Sequence, residues 1–181
     1  MTLAKGLSSG YQPISGAVIG DRVWEVLKEK STSTYGGFGH GYTYSAHPVC
    51  AAGALANLEI MERENLKDNA AKVGAELKAR LEADLADNPL VGDIRGLGLK
   101  MGIELVADRS TKEPLDAAIK CGPRIMAQGY EEGIICRALP HRDVIGMSPP
   151  LIITSAEAEE YAAGVVRAIN KVTAQVQKEL G

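Results

Sequence analysis

"LKDNAAKVGAELKARLEADLADNPLVGDIRGLGLKMGIELV", residues 66–106, changes its period halfway along. Up to Leu85 the apolar residues Leu66, Ala70, Val73, Leu77, Leu81 and Leu85 recur three or four apart, which is the spacing of one helical face. After Asn88-Pro89 the spacing drops to two and glycines punctuate it, so that residues 90–106 predict two strands and a tight turn near Gly96 to Gly98. A long amphipathic helix thus hands over to a hairpin, the start of a compact α+β unit from about residue 86.

Working outward toward the C-terminus, 107–114 is a polar loop, a helix is predicted around 116–132, and "GIICRAL" (133–139) and "DVIGMS" (143–148) read as strands. The last helix is the clearest. Thr154 followed by Glu157 makes a capping box, and Tyr161, Val165, Ile169, Val172 and Val176 form the apolar stripe behind it. Toward the N-terminus, "VCAAGALANLEIMERE" from Pro48 predicts another long, Ala-rich helix. Before it, "STSTYGGFGHGYTYSAHP" (31–48) has no helical period and reads as a long loop, of the kind that usually has a job. "SGAVIG" (15–20) reads as a short buried strand, with Asp21 capping a short helix over 22–30 that packs through Val23, Val26 and Leu27.

The chain has 181 residues, 45% hydrophobic and 24% charged, with net charge −3, the balance of an ordinary soluble globular protein. No basic cluster offers a footprint for nucleic acid. No apolar run approaches the roughly 20 residues that span a bilayer, and no secretory pattern opens the chain, so the expected address is the cytoplasm. Cys50, Cys121 and Cys136 are odd in number and unpaired in spacing; they predict small buried thiols, with neither a disulfide framework nor a metal site.

Three places could carry chemistry. Lys5, in "AKGLSSGYQP" (4–13), lies among glycines that let a bulky group approach the backbone and beside hydroxyls that could hold it. "HGYTYSAHP" (40–48) gathers His40, Tyr42, Thr43, Tyr44, Ser45 and His47 just ahead of a helix N-terminus, a set suited to a phosphate and equally to an aromatic loop closing a strand-helix joint. Arg137 and Arg142 flank a short strand pair, where an arginine could clamp a carboxylate or simply be solvated. His141 gains no role of its own. Arg95 is expected to pin the glycine-rich turn.

"TLAKGLSSGYQPISGAVI" (2–19), "HGYTYSAHPVCAAGALANLEI" (40–60), "VGDIRGLGLKMGIEL" (91–105) and "SPPLIIT" (148–154), in this order and over essentially the whole chain, resemble the second half of a class III (omega) aminotransferase dependent on pyridoxal phosphate. The resemblance implies an α/β fold, the C-terminal part of the fold type I architecture. Residues 1–60 would end the large domain with its mostly parallel sheet, 61–85 would be a connecting helix, and 86–181 would form the small C-terminal α+β domain. Lys5 would be the Schiff-base lysine that shuttles a proton between substrate and cofactor. Thr43, with the backbone at Tyr42, would reach the cofactor phosphate of the neighbouring subunit of a homodimer.

By the same resemblance Arg137 would bind the substrate carboxylate. The interval from Arg137 to Pro149 is longer than in some members of the family, which leaves Arg142 a rival. The implied reaction moves an amino group from an amine or omega-amino acid to a keto acid such as pyruvate; an aminomutase, a decarboxylase, or a non-catalytic assembly module are the alternatives. The family's lysine lies past the middle of a longer chain, so Met1 is expected to be an internal methionine. The phosphate-cradling turn, the ring-stacking aromatic and the aspartate at the pyridine nitrogen would then come from an upstream half, in the same chain or as a separate N-terminal polypeptide.

Overall fold

The computed structural model describes residues 1–180, with Thr32, Tyr35 and Leu180 described by backbone alone, and Gly181 of the expected 86–181 unit lies outside it. The chain divides into two units, Met1–Asn65 and Leu66–Gly181.

The first unit opens with an antiparallel ribbon of β1 (Thr2–Leu3) and β2 (Gly16–Ala17), in which Thr2 faces Ala17 and Leu3 faces Gly16. Between them runs a 3-10 turn, Lys5–Ser8. The expected buried strand at "SGAVIG" is corrected here: β2 is two residues long, and it and the following Val18 and Ile19 are exposed, because among the described residues no strand other than β1 pairs with it. Helix α1 (Asp21–Tyr35) begins with an acid, which complements the positive end of its dipole. It outruns the expected 22–30, so the open loop is 36–47 and not 31–48. Within the hydroxyl-rich segment of this helix, Ser33 Oγ donates back to the Lys30 carbonyl at 3.0 Å. Helix α2 (Pro48–Arg63) carries Pro48 in its first turn, where a missing N–H costs nothing.

The second unit is an antiparallel sheet backed by helices. In chain order it contains α3 (Leu66–Asp84), β3 (Val91–Leu97), β4 (Lys100–Leu105), α4 (Cys121–Glu131), β5 (Arg137–Ala138), β6 (Val144–Met147) and α5 (Ser155–Leu180). The sheet order is β3-β4-β6-β5, with Ile94 opposite Ile103 and Ile103 opposite Ile145. One continuous core joins the predicted face of α3 to the sheet and to Val165, Ile169, Val172 and Val176 of α5. The capping box forms: Thr154 Oγ1 accepts from the Glu157 N–H at 3.2 Å, and the Glu157 carboxylate accepts from the Thr154 N–H at 2.8 Å. These backbone and hydroxyl hydrogen bonds hold the Glu157 carboxyl below its usual range.

Three local expectations change. The helix expected over 116–132 is broken, because Lys120 takes a left-handed φ of 51° between a 3-10 turn and α4. "GIICRAL" yields only β5, since Gly133, also left-handed, and Ile134 are spent closing α4, with their N–H groups donating to the carbonyls of Tyr130 and Gly129. Arg95 does not pin the turn between β3 and β4 but bridges Asp93 and Glu104 at 2.7 and 2.6 Å. The turn is fixed instead by close approach. A Cβ on Gly74 of α3 would lie 2.2 Å from the Gly98 carbonyl oxygen, and Gly98 itself has φ +56°.

Candidate functional site

Lys5 sits in the 3-10 turn of the first unit, exposed, with a left-handed φ of 54°. The turn is fastened from two sides. Asn57 of α2 donates through Nδ2 to the carbonyls of Gly6 and Leu7 at 3.0 and 3.2 Å. Ser8, buried, donates from Oγ to the Gln12 carbonyl at 2.7 Å and accepts from the Gln12 N–H at 3.2 Å. Neither Gly6 nor Gly10 has a neighbour within 4 Å of where a Cβ would stand, so the approach to Lys5 along the backbone is open. Asn57 escaped the sequence reading; its signal was a polar residue at helical spacing from Cys50, Gly53 and Met61, all on the side of α2 that meets this loop.

Beside the ribbon lies a cavity of about 760 Å³, to which the loop 36–47 contributes His40, Tyr42, Tyr44, Ser45 and His47. Ala4, next to Lys5, also lines it; Lys5 and Thr43 do not. Tyr42 and Ser45 close a turn on themselves: the Tyr42 N–H donates to Ser45 Oγ and the Ser45 N–H to the Tyr42 carbonyl, both at 2.8 Å. Thr43, at the tip, is exposed. His47 lines this cavity, and its Nδ1 is buried with no hydrogen-bond partner among the described residues. The aromatic alternative has support too, as Trp24, Phe38, His40 and Tyr42 follow one another with ring centroids 5.7 to 6.0 Å apart.

In the second unit Arg137 stands on β5 opposite Gly146 and lines a cavity of about 610 Å³ with Ser148, Pro149, Tyr161 and the Glu132–Arg167 pair. Arg167 is neutralised there by Glu132 at 2.8 Å, which holds that carboxyl below its usual range. Arg137 forms no ion pair among the described residues, so it remains available to an incoming anion. Tyr161 donates to the Ile135 carbonyl at 3.0 Å, and burial first, with the nearby Cys136 second, pushes its phenol far up. It is a fixed wall. Arg142 lies outside this cavity, exposed, with Glu104 at 4.0 Å, on a left-handed pair of residues completed by Asp143. The Asp143 carboxylate accepts from the Gly122 N–H at 2.8 Å and so ties the β5–β6 hairpin to the start of α4.

Cys121 and Cys136 are free and buried, and burial pushes the Cys121 thiol up to about 11. Cys50 is only half buried. No group of side chains among the described residues could hold a metal ion, and no described helix is long and apolar enough to cross a membrane.

The family model for class-III aminotransferases matches residues 1–169. The chain is 48% identical over 179 residues to the diaminobutyrate–2-oxoglutarate transaminase of Halomonas elongata, covering 99% of this chain and 38% of that protein. It is 37% identical over 180 residues to the putrescine–pyruvate aminotransferase of Pseudomonas aeruginosa, covering 97% and 37% respectively. Its backbone is similar to the omega transaminase of Pseudomonas jessenii solved with PMP, with a TM-score of 0.90 at 40% identity, over 98% of this chain and 38% of that one. The chain therefore spans less than two fifths of the length of these relatives.

Proposed function

From a chain that belongs to the class III aminotransferases, and has the C-terminal α/β architecture of their fold, we propose a part in pyridoxal-phosphate-dependent transamination, with Lys5 as the covalent attachment point for the cofactor. The residues present fit such a group. A primary amine stands on a fastened turn with open space around Gly6 and Gly10, near a cavity that carries hydroxyls and an unpartnered buried imidazole nitrogen. The observation that carries the reading is the Asn57 anchorage, which gives an otherwise exposed lysine a defined backbone.

When bound, pyridoxal phosphate supplies the electron sink for breaking the substrate Cα–H bond. Lys5, once released by the incoming amine, takes up that proton at Nζ and returns it to the other carbon of the exchange. Thr43 offers its hydroxyl, and the helix α2 N-terminus its dipole, to a phosphate. In keeping with the family resemblance, Thr43 serves the neighbouring copy's cofactor in a homodimer. The substrates are an amine or omega-amino acid and a keto acid such as pyruvate. Arg137 clamps the carboxylate, and the neighbouring Glu104 makes Arg142 the poorer candidate.

The test is to add pyridoxal phosphate, reduce with borohydride and map the adduct by peptide mass spectrometry. One stoichiometric adduct on Lys5, lost in Thr43→Ala, is expected. Labelling scattered over other lysines would sink the assignment.

A further inference from the structure

Helix α4 starts without a cap of its own. Lys120, just before its first residue, has a left-handed φ of 51° and makes no side-chain capping bond, and no acidic residue stands in the first turn. The opening N–H groups therefore need an acceptor from elsewhere in the fold. Asp143 supplies one from 21 residues along the chain: its carboxylate accepts from the Gly122 N–H at 2.8 Å, at the positive end of the helix dipole. Gly122 permits the approach, since a Cβ there would lie 3.0 Å from that carboxylate oxygen and 3.4 Å from the Cβ of Ala138. The start of α4 thus meets Asp143 and the neighbour of Arg137 at one point. Asp143 is held by its backbone as well, its carbonyl accepting from the Leu105 N–H at 3.2 Å at the end of β4.

These contacts matter for β5. It is two residues long, stands at the edge of the sheet and pairs with β6 alone, through a hairpin closed where the Leu139 N–H donates to the Val144 carbonyl at 2.8 Å. The connection runs through Arg142 and Asp143 at φ 59° and 41°, a left-handed pair that L residues adopt only when something else in the fold compensates. Arg137 has no ion pair among the described residues, so the backbone that carries it sets its place. We propose that Asp143 is the positioning residue for Arg137: by capping α4 from within the hairpin it compensates for the left-handed turn, fixes β5, and holds the guanidinium at the 610 Å³ cavity. The proposal rests on the reading of Arg137 as the carboxylate clamp, and adds what keeps that clamp in position.

The experiment compares Asp143→Gly with Asp143→Asn in the full chain. Glycine accepts the left-handed backbone and so folds, but removes the cap; asparagine keeps both an acceptor and the tolerance for that conformation. Two quantities are read by NMR: pyruvate affinity, from titration of the Arg137 Nε–H resonance, and hydrogen exchange of the Leu139 amide against that of Ile103 in the middle of the sheet. In Asp143→Gly the affinity should fall at least fivefold and Leu139 should exchange at least tenfold faster while Ile103 is unchanged; Asp143→Asn should restore both to within about twofold of the parent. Unchanged affinity and exchange in the glycine variant, equal acceleration at Ile103, or equal losses in both variants would each overturn the positioning role. Arg137→Gln separates the two readings. If it binds pyruvate as the parent does, Arg137 is not the clamp, and the Leu139 exchange alone then decides whether Asp143 holds β5.

Discussion

The two units of this chain were built from the same alphabet at similar hydrophobicity, but they spend their apolar residues in opposite ways. The second unit gathers leucines, isoleucines and valines from three helices and a sheet into one closed core. In the first unit Ala54 is the only buried apolar residue among those whose burial is described, and most of the chain's exposed large apolar side chains are found there. Apolar content alone therefore does not define a domain; what matters is whether the chain itself supplies the second surface against which each face is buried.

Limited proteolysis breaks or sharpens this contrast most. Cuts should accumulate within residues 1–60 and the segment from Leu66 onward should survive as a resistant product; uniform protection from residue 1 would erase the distinction. Substitutions come next in size. Ile145→Ala, which empties a fully buried site on β6, should cost about 2–5 kcal/mol, whereas Val23→Ala on the exposed side of α1 should stay within about 0.5 kcal/mol, both read from denaturant unfolding. Equal costs would mean that the first unit hides a core of its own.

The smallest expected effect is a pH dependence confined to the second unit. Arg124–Glu179 and Arg167–Glu132 tie α4 to α5 at 2.8 Å, and each arginine holds its carboxyl below the ordinary value of 4.5. A depressed carboxyl pKa adds stability that is complete at neutral pH and is lost as pH falls below about that value. Because both pairs are exposed, the loss is shallow. Melting temperatures between pH 7 and 3 should fall less steeply in Arg124→Gln than in the parent; parallel curves would remove that pair from the account.

What could be read in the residues was whatever repeats locally. The α3 face and the α5 capping box depend on neighbours three or four positions away, and both stand where the spacing put them. The shortening of "GIICRAL" was local as well, written in Gly133 just past a helix, but the competing apolar run masked it. The approach of Glu104 to Arg142 was beyond local reading, because Glu104 lies far off in the chain and comes near only once β4 and β6 pair. The burial expected of "SGAVIG" failed for the mirror reason: burial needs a second surface, and β1 is the one strand paired with it among the described residues.

The core of the second unit closes through Ala162, Ile169 and Val176 of α5, near the C-terminal end. On a ribosome, α5 emerges after every other element of that unit, so at roughly 5–20 residues per second α3 and the sheet wait on the order of ten seconds for the helix that seals them. For this unit, timing is thus a structural variable.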